Sequence, residues 1–335
     1  MRWLVRLSIL VACIVVVFWG VDIDKLLATL AGYPLDRIAW IVAFSFIAYS
    51  LLAVRLRTLV ADPALRLRDY FQASMVGLGV NNLIPARLGE IAKVVYLRHH
   101  TQAMRSGAIL TAVFWERFLD LHALLILVGV WLVVRSEAAP VLPLVVAVAF
   151  LWGVIFIAQR NSRRINRWLA RLPSKRIETM ARDALGHIGR GLDPNIVGQL
   201  TLTTVGIWFV YAAQLSLVLV WVAGIPLDVE ALIIVFVIST VGMILPLSPG
   251  AIGVYEALLV MALGWYDVVG ERALAAALVA HMVQYIPTTL WAGVVIATSR
   301  LPLLSAPPEI VSGEAQIEAT TLEIDPTRAP APTHT

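Results

Sequence analysis

The chain has 335 residues, of which 60% are hydrophobic and only 14% are charged, with a formal net charge of +4. This composition is too apolar for a soluble globular protein and predicts an all-α integral membrane protein with several transmembrane helices. The single cysteine, Cys13, excludes a disulfide framework and a cysteine-based metal site.

The first apolar run follows Arg2 and Arg6. Its charge layout is that of a signal peptide, but the run is long and no small-x-small cleavage site follows it, so we expect an uncleaved first helix. Short loops rich in Lys and Arg remain in the cytoplasm, and these two arginines therefore place the amino terminus inside. The next loop, residues 21–37, is acidic and is predicted to lie outside.

A second helix is predicted over residues 38–54, and a shorter apolar run follows at residues 71–84. Basic residues flank this shorter run on both sides. They are Arg55, Arg57, Arg66 and Arg68 before it, and Arg87, Lys93, Arg98 and Arg105 after it. A single crossing cannot leave both ends in the cytoplasm, so we predict a re-entrant pair of half-helices that enters from and returns to the cytoplasm.

The break within this pair falls in the stretch NNLIPARLGE, residues 81–90, which contains Asn81, Asn82 and Pro85. Proline removes a backbone donor and clashes with the preceding turn, so a helix break is expected here. Irregular backbone at membrane depth is tolerated only where protein shields it or where it lines a water-filled cavity. The stretch is therefore predicted to line a cavity.

The later runs continue this alternation and return the carboxyl terminus to the cytoplasm. The predicted spans are residues 107–134, 141–158, 196–223 and 273–299. Residues 159–193 form a basic, cytoplasmic, amphipathic segment between the first and second halves of the transmembrane domain. This segment is predicted to be either a helix in the anionic headgroup layer or a cap on the helix bundle. The transmembrane domain thus covers residues 1–299, and the Pro-rich polar tail, residues 300–335, is predicted to be disordered.

A second break, LPLSPGAIG at residues 245–253, separates two half-length apolar runs between acidic loops, which predicts a re-entrant pair that opens outward. Pro249 and Gly253 repeat the spacing of Pro85 and Gly89. A glutamate follows each break, Glu90 in the first half and Glu256 in the second. Two opposed pairs of this kind indicate an inverted repeat, which many transporters use to build a midplane site.

Three motifs in order, NNLIPARLGEIAKVVYL, FWERFLDL and LPLSPGAIGVYEALLV, resemble the lysylphosphatidylglycerol synthase transmembrane family. This family is the membrane half of the bacterial aminoacyl-phospholipid synthase and flippase. The resemblance spans about residues 1–300 and implies a lipid-flipping or lipid-handling membrane domain, which occurs either fused to a soluble aminoacyl transferase or alone. Because a polar tail follows the last helix, we expect no transferase in this chain.

The densest charge within a predicted span is the group Glu116, Arg117 and Asp120. Spacing of i to i+4 places the two carboxylates on one helix face. Ionisable groups at this depth are costly unless paired or hydrated, and they indicate function by default. A structural ion-pair network, with Arg87 or Glu90 as a partner, is the alternative.

Chemistry gives each candidate residue a role. Arg87, Lys93 and Arg117 can neutralise a phosphate, whereas Glu90, Glu116, Asp120 and Glu256 can hold a cationic headgroup or carry a proton. Asn81, Asn82 and Ser248 can bond a polar headgroup, and Gly89, Gly250 and Gly253 allow close backbone approach. The two asparagines suit helix capping equally well, and Pro249-Gly250 also suits a plain turn. His281 and Gln284 are interpreted as buried hydrogen-bonding residues.

Other chemistry has little support, because no Gly-rich phosphate loop, serine nucleophile motif or nucleic-acid-binding surface is present. The adjacent His99 and His100 diverge on a helix and make a poor metal pair, so no metal or cofactor is expected. The leading hypothesis is a flippase that moves a polar-headgroup lipid, such as an anionic or aminoacylated phospholipid, across the bacterial cytoplasmic membrane. The alternatives are an intramembrane enzyme that modifies lipid headgroups through Glu116 and Asp120, and a scaffold that docks a separate soluble lipid-modifying enzyme on residues 159–193. Homo-oligomerisation stays open.

Overall fold

The computed structural model describes residues 20–84, 88–101, 106–134, 141–171, 174–188, 193–244 and 248–299. These residues form α-helices joined by short turns and contain no β-strand, which confirms the predicted all-α class. The α-helices are α1 (Ile23–Ala31), α2 (Leu35–Val60), α3 (Leu67–Leu83), α4 (Gly89–His100), α5 (Ser106–Val134), α6 (Val141–Arg160), α7 (Ser162–Leu169), α8 (Lys175–Ile188), α9 (Pro194–Ser216), α10 (Val229–Ile244), α11 (Val254–Gly264) and α12 (Gly270–Ser299). The first apolar run, Pro85, Arg87 and the polar tail lie outside the described residues.

Four of these helices are long and apolar enough to cross a membrane. The four spans are Leu35–Val60, Leu142–Arg160, Pro194–Val222 and Gly270–Ser299, the third of which ends in a π-helical turn, Leu217–Val222. Helix α5 is also long, with 29 residues, and carries the three predicted charges near its middle. The chain is therefore a membrane protein built from several apolar helices.

Two pairs of shorter helices stand where the sequence predicts half-helices. Helices α3 and α4 have 17 and 12 residues, and α10 and α11 have 16 and 11. At ~1.5 Å per residue these helices reach only about 16–26 Å, which is less than the ~30 Å hydrocarbon core. The two members of each pair pack against each other, and α3 also packs along α12.

Arg55 is not in a cytoplasmic loop, and that expectation is wrong. Helix α2 continues to Val60 and ends at Ala61, whose φ of 45° lies in the left-handed region. Arg55 is fully buried within the helix. Arginine is a good helix former and its charge is compensated by an acidic partner, so the helix continues through it. Arg57 is the first exposed arginine of this segment.

The basic segment between the halves consists of α7 and α8. Helix α8 packs on α5, where the Thr111 hydroxyl donates to the Ala184 carbonyl at 3.1 Å. Within α7, Leu169 is buried whereas Trp168 is 62% exposed. The segment is thus anchored to the bundle by α8 and presents an aromatic side chain on α7.

Helix α1 is tied to the beginning of α12. The Asp22 amide donates to Oε1 of Glu271 at 3.0 Å. The Asp22 carboxylate caps α1, and its hydrogen bond from the Lys25 amide lowers the pKa of this carboxyl below its usual value. This contact fixes one end of α12, whose middle faces the two breaks.

Candidate functional site

The two helix breaks touch each other. Gly250 has a φ of 57°, and a Cβ added there would lie 2.8 Å from the Asn82 carbonyl oxygen and 2.6 Å from Cε2 of Tyr285. The side-chain Nδ2 of Asn82, which has two hydrogens to donate, lies 2.9 Å from each of the Thr288 and Thr289 hydroxyls and 3.2 Å from the Tyr285 carbonyl. The Tyr285 hydroxyl donates back to the Asn82 carbonyl at 3.2 Å. Helix α12 therefore holds the first break against the second.

Each break is closed by a hydrogen bond between a side chain and the backbone. In the first, the Gly89 amide donates to Oδ1 of Asn81 at 2.8 Å. A Cβ at Gly89 would lie 1.9 Å from the Gly77 carbonyl oxygen, so only glycine fits. In the second, the Ser248 hydroxyl donates to the Ile252 carbonyl at 2.7 Å.

The predicted charges of the first half form an ion-pair cluster. Nζ of Lys93 lies 2.7 Å from Oε2 of Glu116 and 3.3 Å from Oε2 of Glu90. Nη1 of Arg55 lies 2.7 Å from Oδ1 of Asp120. Glu116 and Asp120 share a face of α5, as the spacing predicts, but each holds a different cation. The Lys93–Glu116 pair and the Arg55 side chain are buried, whereas Asp120 is partly exposed.

Arg117 is held more loosely than the other cations of the cluster. Its Nη2 lies 3.4 Å from Oε1 of Glu90 and 3.6 Å from Oδ2 of Asp120, and 44% of its side chain is exposed. These distances are longer than the 2.7–2.9 Å of strong charge-assisted hydrogen bonds. Arg117 is thus the cation of this cluster that a ligand can reach.

Arg117 faces a cavity of about 260 Å³ that lies beside the junction of the two breaks. Arg117 and Asp120 are its charged lining residues. The uncharged polar lining consists of Asn81, Asn82, Trp208, Tyr211, Ser239, Thr240, Ser248, Tyr255 and Gln284. The remaining lining includes Leu52, Leu78, Ile207, Phe236 and Met243, so both polar and apolar side chains line the cavity.

Glu256 belongs to a second polar group. Its Oε2 accepts from the Gly253 amide at 2.7 Å, and its Oε1 lies 2.6 Å from Nδ1 of His281. Gly253 has a φ of 81° and caps α11, with Pro249 beginning the turn before it. The structure therefore brings Glu90, Lys93, Glu116, Arg117 and Asp120 together and pairs Glu256 with His281 instead.

Sequence reasoning missed three contributions to the site. Arg55 neutralises Asp120, the indole Nε1 of Trp208 donates to Asp120 at 3.5 Å, and His281 pairs with Glu256. Arg55 offered a signal, because it directly follows the predicted end of a helix and one further turn would bury it. His281 was expected to form a hydrogen bond, but the spacing did not identify its partner.

A family model described as the lysylphosphatidylglycerol synthase TM region matches residues 3–292. The chain belongs to the lysylphosphatidylglycerol synthase transmembrane family. This match covers both breaks and the FWERFLDL motif, and it confirms the resemblance found in the sequence. Membership of the lysylphosphatidylglycerol synthase transmembrane family indicates a function in the membrane that is related to lipids. No curated protein sequence matches the chain.

Within the described residues of this family member, no group of three or more His, Cys, Asp and Glu side chains is placed to hold a metal ion. The carboxylates of the cluster lie instead against arginine and lysine nitrogens. The chemistry that this arrangement offers is therefore the binding of a charged or polar group at Arg117 and its polar neighbours.

Proposed function

We propose that this protein is a flippase that carries the polar headgroup of a lipid through the cavity beside the two breaks while the acyl chains stay in the bilayer. The observation that supports this proposal most directly is the half-exposed Arg117 in a cavity lined by both polar and apolar side chains. A headgroup needs polar contacts during its passage, since an unpartnered polar group in hydrocarbon costs several kcal/mol, about 2–7.

Arg117 is proposed to bind the headgroup phosphate. The guanidinium fork matches a phosphate bidentately, and the present contacts of 3.4 and 3.6 Å leave room for a shorter bond. A phosphate that enters exchanges one anionic partner of Arg117 for another. Arg55 and Lys93 stay with Asp120 and Glu116, so the cluster keeps its shape during the exchange.

The two half-helix pairs are proposed to be re-entrant and opposed, which makes the halves an inverted repeat. The lengths of α3, α4, α10 and α11 and the contact between Asn82 and Gly250 agree with this arrangement. The basic flanks of the first pair and the acidic flanks of the second favour opposite openings. The same charge rule favours both termini in the cytoplasm. The resemblance to the family of the bacterial aminoacyl-phospholipid synthase and flippase favours the bacterial cytoplasmic membrane as the location.

The ion pairs that Glu116 and Asp120 each form with a cation favour transport over an intramembrane enzyme. A general acid or base must exchange a proton with its substrate. Each of these carboxylates instead has a nitrogen of a cation within 2.7 Å. Removing either carboxylate would leave a buried cation without its partner, which gives both residues a structural purpose.

The proposal is tested by reconstituting the purified protein in liposomes with fluorescent phospholipids and following lipid redistribution between the leaflets. We expect the wild-type protein to redistribute lipid without changing it. Arg117→Gln should lower the rate by about 10- to 100-fold, the factor that corresponds to a hydrogen bond to a charged group, while the unfolding temperature stays near that of the wild type.

Glu90→Gln is expected to lower the rate in the same assay, because Glu90 is one of the two carboxylates that position Arg117. The matched control is Lys175→Gln, which removes a cation that is 89% exposed on α8. A chemically modified lipid would identify an enzyme, and activity that appears only with a soluble partner would identify a scaffold. Either result, or full activity of Arg117→Gln, contradicts the proposal.

A further inference from the structure

A histidine with an open ring nitrogen lies next to the second break. His281 and Glu256 are 2% and 3% exposed, and Nδ1 of His281 lies 2.6 Å from Oε1 of Glu256. Among the described residues, Nε2 of His281 is buried without a hydrogen-bond partner. A buried polar atom without a partner is unusual and calls for a physical reason.

Few titratable groups face this pair. Tyr255 of α11 and Tyr285 of α12 contact the His281 ring, with centroids 4.9 and 5.6 Å away. The helices that pack on α11 and α12 carry few charged residues. They are Glu230 of α10, Asp24 and Lys25 of α1, Arg68 and Asp69 of α3, and Asp36, Arg37, Arg55 and Arg57 of α2. Within the part of the chain that the structure describes, His281 and Glu256 form an ion pair with each other.

Both protonation states of this pair have physical support. With a neutral histidine, Nδ1–H donates to Glu256, and the single negative charge lies at the amino terminus of α11, where the helix dipole favours it. A proton that arrives from water at Nε2 converts the pair to a neutral ion pair, which suits a buried site. The Nδ1–H···O bond then becomes charge-assisted on both sides and stronger.

The pair is mechanically connected to the junction of the breaks. Glu256 caps α11 through Gly253, directly after the second break. Tyr285 lies one turn after His281 on α12, donates to the Asn82 carbonyl and contacts Gly250. A tighter bond between Glu256 and His281 therefore holds α11 and α12 together at the place where the two halves meet.

We infer that His281 is a proton-binding site that locks α11 to α12 when it is protonated and thereby slows lipid movement. This inference rests on the proposed flippase function and adds its regulation by pH. The balance is simple: one proton from water adds to Nε2, the ring gains one positive charge, and no other bond breaks. The lock opens when the proton leaves.

The test follows lipid redistribution in proteoliposomes from about pH 8 to about pH 5, the range in which histidines change charge. The wild-type rate should fall by about fivefold, the factor that corresponds to about 1 kcal/mol for a hydrogen bond strengthened by charge. His281→Gln keeps a donor for Glu256 but cannot be protonated, so its rate should stay constant over this range. The matched control is His122→Gln. His122 is also a histidine with an open Nε2, but its Nδ1 bonds the Phe118 carbonyl and no carboxylate.

A second measurement does not depend on any variant. Ring-nitrogen NMR of wild-type protein, with His281 assigned from its contacts with Tyr255 and Tyr285, should show a titration whose midpoint coincides with the fall in transport rate. A His281→Gln rate that still falls with pH, or a His281 ring that does not titrate, would overturn the lock and leave the flippase proposal intact. A wild-type protein that moves no lipid at any pH would overturn both.

Discussion

In the first break Glu90 lies near Lys93 and Arg117, which remain charged at every physiological pH, whereas in the second break Glu256 lies against His281, whose side chain can lose its charge. Both glutamates follow a break at a similar distance in sequence. Their partners differ because α4 and α5 supply cations to the first half, and α12 supplies a histidine to the second. The two breaks therefore differ in their electrostatics.

This difference suggests separate roles for the two halves of the molecule. The first half concentrates three cations and three carboxylates, and it presents Arg117 to the cavity. The second half contributes hydroxyl groups and a single buried pair away from that cluster. We infer that the first half contacts a charged headgroup, whereas the second half controls how closely the breaks approach each other.

The largest effect concerns the proposal that the two half-helix pairs open to opposite sides of the membrane. The accessibility of introduced cysteines tests it directly. In a Cys13→Ser background we expect R68C and R98C to react with a membrane-impermeant thiol reagent from the cytoplasmic side alone. V229C and W265C should react from the outer side alone. All four positions are exposed. A pair whose two members react from different sides would show that its half-helices span the membrane and would remove the inverted repeat.

The largest effect on stability is expected from Lys93→Met. Glu116 is 1% exposed, and loss of its ammonium partner leaves an uncompensated buried charge. Such losses cost about 3–5 kcal/mol, which should appear in the free energy of unfolding measured in mixed micelles. The second-half counterpart, His281→Gln, should cost less because glutamine still donates to Glu256.

The double variant Lys93→Met/Glu116→Gln is the control for this prediction. It removes the buried charge together with its partner, so most of the lost stability should return. If the double variant is as unstable as Lys93→Met alone, the lysine stabilises the protein through packing of its stem, for example against Gly77, rather than through charge.

The sequence predicted the features of the fold that depend on helix length and on helix-breaking residues. The runs before and after Asn81-Asn82 and Pro249 are too short to span a bilayer, and the structure ends helices at Leu83 and begins one at Val254. Local signals of this kind need no knowledge of partners. They predicted short helices on both sides of each break, with ends that differ from those of the structure by a few residues.

The site was harder to predict from the sequence because its ion pairs and hydrogen bonds join residues that are distant in sequence. Arg55 and Asp120 are 65 positions apart, and Glu256 and His281 are 25 apart. An arginine at the predicted end of a helix is assigned to the loop, because a charged side chain is expected to be exposed. Only knowledge of a buried acidic partner would assign it to the helix. Spacing placed Glu116 and Asp120 on one face correctly but could not assign their cations.

A smaller loss of stability is expected from alanine at the two glycines that set the breaks. At Gly89 the new Cβ would lie 1.9 Å from the Gly77 carbonyl, and at Gly250 it would lie 2.8 Å from the Asn82 carbonyl on a backbone with positive φ. Overpacking of this kind costs about 1–3 kcal/mol. Gly293→Ala, with open space around its Cβ on α12, should instead stabilise the helix by about 0.5–1 kcal/mol.

Gly89→Ala should be the more harmful of the two, because its Cβ would lie 1.9 Å from a backbone oxygen. The closest atom to a Cβ at Gly250 is Cε2 of the Tyr285 ring at 2.6 Å, which can rotate away in part, and the backbone oxygen of Asn82 is farther away at 2.8 Å. Equal losses in the unfolding free energy would mean that positive φ at Gly250 dominates over the clash. No loss at either position would contradict the close approach of the breaks.

The smallest expected effect concerns the hydrogen bonds that close each break. Asn81→Ala leaves the buried Gly89 amide at the start of α4 without its acceptor, which costs about 1–3 kcal/mol. Ser248→Ala removes the hydroxyl that donates to the Ile252 carbonyl, and this loss should cost about 0.5–1.5 kcal/mol. The cost is smaller because a carbonyl oxygen has a second lone pair that can accept another bond. The first break should therefore depend more on its closing side chain than the second.

Asn82 of the first break contacts Gly250 of the second. A substitution that loosens one break should therefore change the loss of unfolding free energy caused by a substitution in the other. Asn81 and Ser248 also line the same cavity. We expect the double variant Asn81→Ala/Ser248→Ala to deviate from the sum of the single losses by at least about 0.5 kcal/mol, as residues that share a cavity do. The control pairs Asn81→Ala with Thr203→Val, which removes a hydroxyl bond to the Gln199 carbonyl on α9, and this pair should be additive within about 0.3–0.5 kcal/mol. Additivity in both double variants would mean that the two breaks lie in contact without energetic coupling, and a proton bound at His281 could then no longer act on the first half through their junction.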